Sequence, residues 1–315
     1  MKTLKTPPKN NLTSIMNHIL LMLFLVVGIY SCKQKEKDNN LIAPSFKEVW
    51  GKDFTEVRRT YESGLSFNDF GYQLEPIWKF TILSDTSVNI YSPQINKFQI
   101  AHIQFDHDSI FNFAWSWLRL RKLTKDSIIF QVIKVKDREI FRLASKTYIT
   151  FYANDYIKNS LHSTPKDLIK PSKADSVFIR KKVLLANSDT SEAFPARNQA
   201  RLKSRNKLLR IEHSETMKDD KLKQNHNDYL LPEYYITIEK SYKKFSYSFS
   251  AVVDEKGRLL FRKSRNFMMP EFEASSNKNM RGIVDGYLSA YLDITPGETL
   301  GMAHSSIIII HVTGQ

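Results

Sequence analysis

The sequence has only one cysteine, Cys32, and only ten glycines among its 315 residues. A single cysteine forms no disulfide within the chain and supplies no zinc site built from several thiolates. So few glycines leave little scope for loops that cradle phosphates, and the motifs G-x-S-x-G, H-E-x-x-H, G-x-G-x-x-G and the P-loop are all missing. We therefore expect a non-enzymatic protein with no cofactor and no bound metal.

Long hydrophobic runs are missing as well. Residues 19–29, an apolar run interrupted only by Gly28, number eleven, whereas a helix that spans a bilayer needs about 20 apolar residues. The residues before this run carry Lys2, Lys5 and Lys9 and no acid. A basic start followed by a short apolar run is typical of a secretory signal peptide rather than of a permanent membrane anchor.

The apolar run ends at Ile29-Tyr30-Ser31-Cys32, with an aliphatic residue at −3 and a small residue at −1 before the cysteine. This stretch resembles the lipobox of bacterial lipoproteins. The resemblance implies a signal peptide over 1–31, cleavage before Cys32, acyl chains on the sulfur and amine of Cys32, and a lipidated tether over 32–44. Several acyl chains on one residue hold a protein firmly at a membrane, because each buried methylene contributes about 0.8 kcal/mol. An unmodified cysteine after an ordinary secretory signal is the alternative.

The predicted cellular location and the net charge of the chain together indicate the partners. Lys33 stands where some lipoproteins carry the aspartate that retains them in the inner membrane, so the outer membrane of the cell envelope is expected. The chain has a net charge of +14, and three of its lysines lie within 1–31 with no acid, which leaves +11. For an exported protein this favours anionic lipid headgroups, lipopolysaccharide or acidic glycans over nucleic acid as electrostatic partners. The expected partners are thus the membrane, through the lipid anchor, and an envelope protein or cell-wall polymer, with no nucleic acid. A basic surface without any partner fits the composition equally well.

Residues 45–153 are predicted to form a helix followed by an antiparallel β domain. Apolar residues at helical spacing predict the helix over 45–63, ended by Gly64. Stretches rich in β-branched and aromatic residues predict strands at 76–84, 87–92, 97–105, 109–123, 127–135 and 139–153. Short polar turns between them predict an antiparallel meander that curls into a barrel. The pattern over 65–153 faintly resembles the lipocalins, which would imply a lipid or small-ligand carrier with an apolar cavity.

The segment 109–123 shows the clearest alternation in this domain. Aromatic residues occupy the odd positions Phe111, Phe113, Trp115 and Trp117, and smaller or more polar residues lie between them. An alternation of this kind is typical of one strand with a single face in a core. Together with Trp78, these rings would either line a cavity or fill a core.

Residues 154–227 are polar, rich in lysine and punctuated by proline. We expect a connector with little structure, in which 176–186 could be a strand and 207–213 another short element. After it, residues 228–315 are predicted to fold as β-β-α-β. Asp254 and Gly257 supply a turn between two strands, apolar residues on one face predict a helix over 277–293, and four isoleucines at 307–310 predict a final strand. The chain as a whole is expected to be a β-rich α+β protein.

The C-terminal segment resembles the C-terminal domain of the TonB energy-transducer family. The family pattern joins an aliphatic-Asp-x-x-Gly hairpin, a helix, a Pro-Gly-x-x-x-Gly turn and a terminal strand. The resemblance implies a module that binds a protein by strand addition or binds cell-wall polymer. An internal core strand at 307–310 is the alternative. The matching positions, which the resemblance assigns to partner binding, are Val253, Asp254, Gly257, Pro296, Gly297 and Gly301.

The remaining polar candidates do not form a convincing chemical site. Asp106, His107 and Asp108, with His102 nearby, are interpreted as a hairpin turn rather than as metal ligands. His304 and His311 are seven residues apart, so on a regular strand they would face opposite sides. The paired acids Glu271 and Glu273 are expected to be solvated.

Overall fold

An eight-stranded antiparallel barrel forms the N-terminal half of the structure, a computed structural model that describes residues 43–137, 139–141, 145–213 and 230–315. The expected signal peptide, Cys32 and most of the tether lie outside the described residues. In the closed barrel the strand order is β1-β10-β7-β6-β5-β4-β3-β2, and β8 and β9 form a small separate hairpin. The meander and the barrel predicted from the aromatic strands are therefore confirmed. The strands are β1 Asp53–Tyr61, β2 Lys79–Ser84, β3 Ser87–Ser92, β4 Lys97–His107, β5 Ile110–Phe113, β6 Ser116–Leu123, β7 Ser127–Val132, β8 Val135–Lys136, β9 Glu139–Ile140 and β10 Thr147–Ala153.

Phenylalanine side chains fill the interior of the barrel. The ring centroid of Phe113 lies 5.1 Å from that of Phe80 and 5.4 Å from that of Phe130. Phe46, which precedes β1, is fully buried, and its ring centroid lies 5.2 Å from that of Phe111. Contacts at these distances are ordinary aromatic packing in a dense core. Phe111 and Phe113, two of the rings that a carrier would use to line a cavity, therefore pack against other rings of the interior.

The helix predicted over 45–63 is wrong. Only Lys47–Val49 is helical there, as a short 3-10 turn, and most of the remaining residues form β1. Gly51 has a φ of 72°, a left-handed conformation that separates the turn from the strand. Four consecutive residues of β1 are buried, among them Glu56, whose carboxylate is neutralised inside the protein. This run of burial hides the alternation of a strand, so the apolar spacing fits a helix by coincidence.

The segment 109–123 is a hairpin rather than a single strand. β5 and β6 pair with each other through a turn at Ala114 and Trp115, whose φ angles are 48° and 68°. Two consecutive residues with positive φ are the geometry of the tight turn that joins hairpin strands, which usually carries Asn or Gly. Because neither residue is present, the sequence gives no sign of the turn. Trp115 lies at its tip, 69% exposed.

The expected connector contains regular structure. Its helices are α1 Asn154–Asn159, α2 Pro165–Leu168 and α3 Lys173–Ser188, and its strands are β11 Arg201–Ser204 and β12 Leu209–His213. The strand proposed at 176–186 is wrong, because α3 covers it. Ser172 caps α3 by accepting a hydrogen bond from the Asp175 backbone N–H, and the Asp175 carboxylate accepts one from the Ser172 backbone N–H. This reciprocal capping box fixes the start of the helix.

A five-stranded sheet in the order β12-β13-β19-β14-β15 forms the C-terminal half. One helix, α4 Pro270–Gly282, continues as a π-helical segment Ile283–Leu288 and a last turn Ser289–Tyr291, and it confirms the helix expected over 277–293. Its buried face, Met280, Val284 and Leu288, packs in the same core as the sheet. The strands are β13 Glu233–Ile238, β14 Phe245–Val253, β15 Leu259–Ser264, β16 Leu292–Thr295, β17 Glu298–Thr299, β18 Met302–Ala303 and β19 Ser306–Gly314.

The boundary expected at residue 228 divides this sheet, because β12 pairs with β13. The final strand β19 lies in the middle, parallel to β13 and antiparallel to β14. Ile308, Ile309 and Ile310 are buried there. Both hydrogen-bonding edges of β19 are therefore occupied by the chain itself. Among the helices of the described residues, none has the combination of length and apolar character needed to cross a bilayer.

Candidate functional site

A cleft of about 790 Å³ opens beside the Pro-Gly turn of the C-terminal half. It lies where the segment before β11, the β11–β16 pair, the turn itself and β13 come together. Its volume falls within the range of about 300–1,000 Å³ that is usual for ligand sites. The lining residues are Arg197, Asn198, Gln199, Ala200, Arg201, Leu202, His213, Tyr234, Thr295, Pro296, Glu298 and Ala303.

The Pro-Gly turn builds one wall of the cleft. Pro296 lines the cleft directly, and Gly297 is buried behind it. A Cβ atom on Gly297 would lie 2.5 Å from the Cβ of Ala196 and 2.9 Å from the Oγ of Ser306. Only glycine allows the turn to approach these two segments so closely. The glycine therefore positions the wall, although its own atoms do not line the cleft.

The extended segment around residue 198 lies directly against the Pro-Gly turn. The backbone groups of Asn198 and Glu298 exchange two hydrogen bonds of 2.9 Å, and Asn198 Nδ2 donates to Glu298 Oε1 at 3.2 Å. Arg197 forms an ion pair with Glu75, and its backbone N–H donates to Thr299 Oγ1 at 3.1 Å. These contacts fix the segment and the turn to each other as one wall of the cleft.

Tyr234 forms the back of the cleft. Its phenol donates a hydrogen bond to the backbone oxygen of Ala200, and only 4% of the residue is exposed. Burial raises the pKa of Tyr234 to about 12. The phenol therefore stays protonated at neutral pH and anchors β13 to the segment that leads into β11. The ring of His213 packs against the Tyr234 ring with a centroid separation of 4.7 Å.

A buried polar network supports the wall from behind. Thr299 Oγ1 lies 3.0 Å from His304 Nε2, and His304 Nδ1 lies 3.0 Å from the backbone oxygen of Ser305. The imidazole stacks on the ring of Phe194 at 3.8 Å. Burial is the main cause that lowers the pKa of His304 to about 4. The imidazole is therefore neutral at pH 7 and has no exposed surface with which to meet a ligand.

The cleft is lined by cationic and anionic groups. Arg201 contributes a guanidinium group, the guanidinium of Arg197 is ion-paired with Glu75, and Glu298 is the acid among the lining residues. Asn198 and Gln199 add amide groups that both donate and accept hydrogen bonds. Guanidinium groups match the geometry of carboxylates, which they bind with two parallel hydrogen bonds. The arrangement suits an extended ligand that carries a carboxylate and has some apolar surface.

The residues assigned by the family resemblance have mainly positioning roles in this arrangement. Asp254 Oδ1 accepts hydrogen bonds from the backbone of Lys256 at 2.9 Å and of Arg258 at 2.8 Å, which forms the expected turn. Gly257 has a φ of 77°, and a Cβ atom there would collide with the carbonyl oxygen of Ile294 in β16. Val253 is buried in the core, and Gly301 lies in the β17–β18 turn at a φ of 74°. Of the six positions, only Pro296 lines the cleft.

Sequence reasoning missed most of the lining. Arg197, Arg201 and His213 lie in the stretch interpreted as a connector, and Tyr234 lies in a strand whose partners were unknown. Arg201 pairs with Thr295 across the β11–β16 ladder. All four residues lie more than sixty positions before the turn in the sequence, and no local pattern links them to it.

The other candidate residues lie elsewhere. Asp106 and His107 are the last residues of β4 and Asp108 lies in the β4–β5 turn, with His107 Nδ1 2.5 Å from Asp106 Oδ2. His311 lies on β19 with its Nε2 3.4 Å from Glu233 Oε2, far along the chain from His102 on the outer wall of the barrel. Glu271 and Glu273 are exposed in the first turn of α4. Within the described part of the chain, no three His, Cys, Asp or Glu residues are grouped so that they could hold a metal ion.

No family model, no curated protein and no solved structure matches this chain.

Proposed function

We propose that this protein is a non-enzymatic lipoprotein of the cell envelope that docks a partner through its C-terminal module. Acyl chains on Cys32 hold it at the membrane, most simply the outer membrane. The partner is an envelope protein or a cell-wall polymer. The observation that carries the proposal is the cleft beside Pro296, whose wall is fixed by hydrogen bonds and whose lining presents Arg201.

The chemistry of the lining favours binding over catalysis. The phenol of Tyr234 is committed to the backbone oxygen of Ala200, and its pKa of about 12 makes it a poor base at neutral pH. The carboxylate of Glu298 is hydrogen-bonded by Asn198. His304 is the nearest imidazole with a strongly shifted pKa, and it is fully buried. The polar groups of the site are thus used to fix its shape.

Arg201 favours a partner that carries carboxylates. Its guanidinium group matches the geometry of a carboxylate, and the apolar side chains of Leu202 and Pro296 provide contact area. Protein C-termini, acidic side chains and the peptides of cell-wall polymer all present such carboxylates. The net positive charge of the whole chain would assist the encounter.

The resemblance to the TonB C-terminal domain suggests a docking module. The strand order of the sheet determines which strands a partner could pair with. A partner strand cannot pair with β19, because β13 and β14 already flank it. Among the residues that the structure describes, no further strand of the sheet pairs with the outer edges of β12 and β15. The cleft adjoins β12 through His213, so a bound segment could also contact that edge. The carrier alternative receives no such support, because phenylalanine rings occupy the barrel interior.

The test is cross-linking capture in native envelopes with charge-reversal variants of the full chain. Arg201→Glu places an acid in the cleft, and Ala303→Trp occludes it. Arg180→Glu, on an exposed position of α3, makes the same charge change elsewhere. Point variants are preferable to truncation at residue 227, which would separate β12 from β13.

We expect both cleft variants to lose the captured partner, with recovery at least about tenfold lower, as loss of a charge contact at an interface predicts. Arg180→Glu should capture as the unmodified chain does. Equal capture by all four proteins would rule out the cleft as the docking site.

A further inference from the structure

One end of the C-terminal sheet exposes aromatic and apolar side chains among lysines and arginines. Tyr242 and Phe267 are almost completely exposed, at 108% and 97%, and Met269 and Phe272 are exposed by 59% and 58%. Soluble proteins expose single apolar residues routinely. Here Phe267, Met269 and Phe272 are exposed within one short segment, which is typical of an interaction surface. We call this group the cationic–aromatic end; its basic members are Lys240, Lys243, Lys244, Arg262, Lys263 and Arg265.

Hydrogen bonds bring the two parts of this end together. The Arg265 backbone N–H donates to the backbone oxygen of Ser248 at 2.8 Å, and the Ser248 N–H donates to Asn266 Oδ1 at 2.6 Å. Residues after β15 therefore run beside the first residues of β14. Tyr242 lies in the turn that leads into β14, six residues before Ser248, and a strand advances about 3.3 Å per residue. Both exposed aromatic rings consequently lie at the same end of the sheet.

The charge of this end is positive. Six cationic side chains are interspersed with Glu239, Glu271 and Glu273, which leaves an excess of three positive charges. Arg265, between the two parts, has neighbours of its own sign at Arg262 and Lys263. A surface that mixes aromatic rings with lysine and arginine matches the headgroup region of an anionic bilayer, where rings sit at the interface and cations meet the lipid phosphates.

We propose that the cationic–aromatic end binds the surface of a bilayer that contains anionic lipid. Phe267, Met269 and Phe272 insert among the headgroups, and the surrounding cations contact phosphates. A bilayer fits this surface better than a folded protein does, because its exposed apolar residues are combined with an excess of exposed cations, which suits the interface of an anionic membrane. The surface is separate from the cleft, and the proposal does not depend on a docked partner.

The experiment places a reporter in the full chain reconstituted into vesicles. Phe267→Trp adds a tryptophan at the cationic–aromatic end, and its signal is obtained by subtracting the spectrum of the unmodified chain with its four tryptophans. Phe70→Trp is the matched control, since Phe70 is also exposed, by 76%, but belongs to the barrel half. Brominated lipids quench only a tryptophan that contacts the bilayer. Vesicles of phosphatidylglycerol with phosphatidylcholine are compared with vesicles of phosphatidylcholine alone.

We expect quenching of Trp at position 267 that is several-fold stronger than at position 70, and only in the anionic vesicles. Adding Arg265→Gln and Lys263→Gln to Phe267→Trp should reduce the quenching without changing the thermal midpoint. Equal quenching at the two positions, or equal quenching in neutral and anionic vesicles, would overturn the proposal. A blue shift at position 267 that requires an envelope protein instead of lipid would also overturn it. None of these outcomes depends on whether the cleft variants lose their partner.

Discussion

The ring of Phe80 contacts the ring of Phe113 at a centroid distance of 5.1 Å, although β3 and β4 separate their strands in the barrel. Contact between strands so far apart around a closed barrel means that side chains meet across its interior. Phe80 also contacts Phe151 at 4.8 Å, and Phe113 contacts Phe130 at 5.4 Å. The barrel is thus a packed scaffold, and this finding directs attention to the C-terminal cleft.

Truncating a ring in the middle of this scaffold should be costly. Phe113→Ala is expected to lower the free energy of unfolding by about 3–5 kcal/mol, because it removes buried surface and leaves a cavity. Phe98→Ala, on the outer wall and 53% exposed, should change it by less than about 1 kcal/mol. Urea denaturation of both variants checks the difference. Similar small losses in both would indicate a loosely packed or hollow interior.

Stability should depend on pH through His304. Its pKa falls from 6.5 to about 4 on folding, chiefly because the imidazole is buried. Above pH 6.5 neither state is protonated, so the contribution is complete. As the pH falls from 6.5 towards 4 the unfolded state gains a proton that the folded state does not, and the free energy of unfolding drops by up to about 3 kcal/mol.

A comparison of two glutamine variants isolates this effect. His304→Gln should flatten the pH profile of stability between 6.5 and 4 relative to the unmodified chain. His102→Gln, at an exposed position on the barrel, should leave its slope unchanged. Parallel profiles for all three proteins would show that His304 is not the group responsible.

Two glycines with the same backbone conformation allow the cost of backbone strain to be measured separately from the cost of a steric clash. Gly257 and Gly64 have φ angles of 77° and 78°, but a Cβ atom collides with Ile294 O only at Gly257. Gly64→Ala should cost about 1–2 kcal/mol, the strain of a left-handed alanine. Gly257→Ala should cost more and, by displacing β16, weaken partner capture. Equal losses in thermal stability would mean that the contact with β16 is not tight.

The capping box of α3 provides a local test of the region expected to be a connector. Ser172→Ala removes the acceptor of the Asp175 N–H and should destabilise the protein by about 1 kcal/mol. Ser188→Ala, at the other end of the helix, loses only a hydrogen bond to the Leu185 carbonyl and should have a smaller effect. Thermal unfolding of the pair distinguishes them. No difference between them would indicate that α3 contributes little to the cooperative fold.

Patterns within a single element were predictable from the sequence. Aromatic and β-branched stretches predicted the barrel strands β2, β3, β4, β7 and β10, and Met280, Val284 and Leu288 predicted the helix that packs on the C-terminal sheet. The turn at Asp254 and Gly257 followed from their side-chain chemistry. Each of these patterns lies within a short stretch of sequence, so it can be recognised without knowledge of the tertiary structure.

Features that depend on distant partners were not predictable. Glu56 is buried in β1 because Arg59 and the backbone N–H groups of Ile77 and Trp78 hydrogen-bond its carboxylate. No pattern in the local sequence indicates that these groups will compensate the buried carboxylate. The cleft has the same character, since Arg201 reaches it only through pairing with β16. Polar residues that line a site and polar residues that face water have the same composition.

Site-directed photo-cross-linking in native envelopes is the most direct test of docking through the cleft beside Pro296. A photoreactive residue replaces Ala303 inside the cleft in one full-length chain and Arg180 on α3 in another. If the partner docks in the cleft, we expect a specific adduct from position 303 that Arg201→Glu abolishes, and no adduct from position 180. An adduct from position 303 that persists with Arg201→Glu, or the same adducts from both positions, would contradict docking through the cleft.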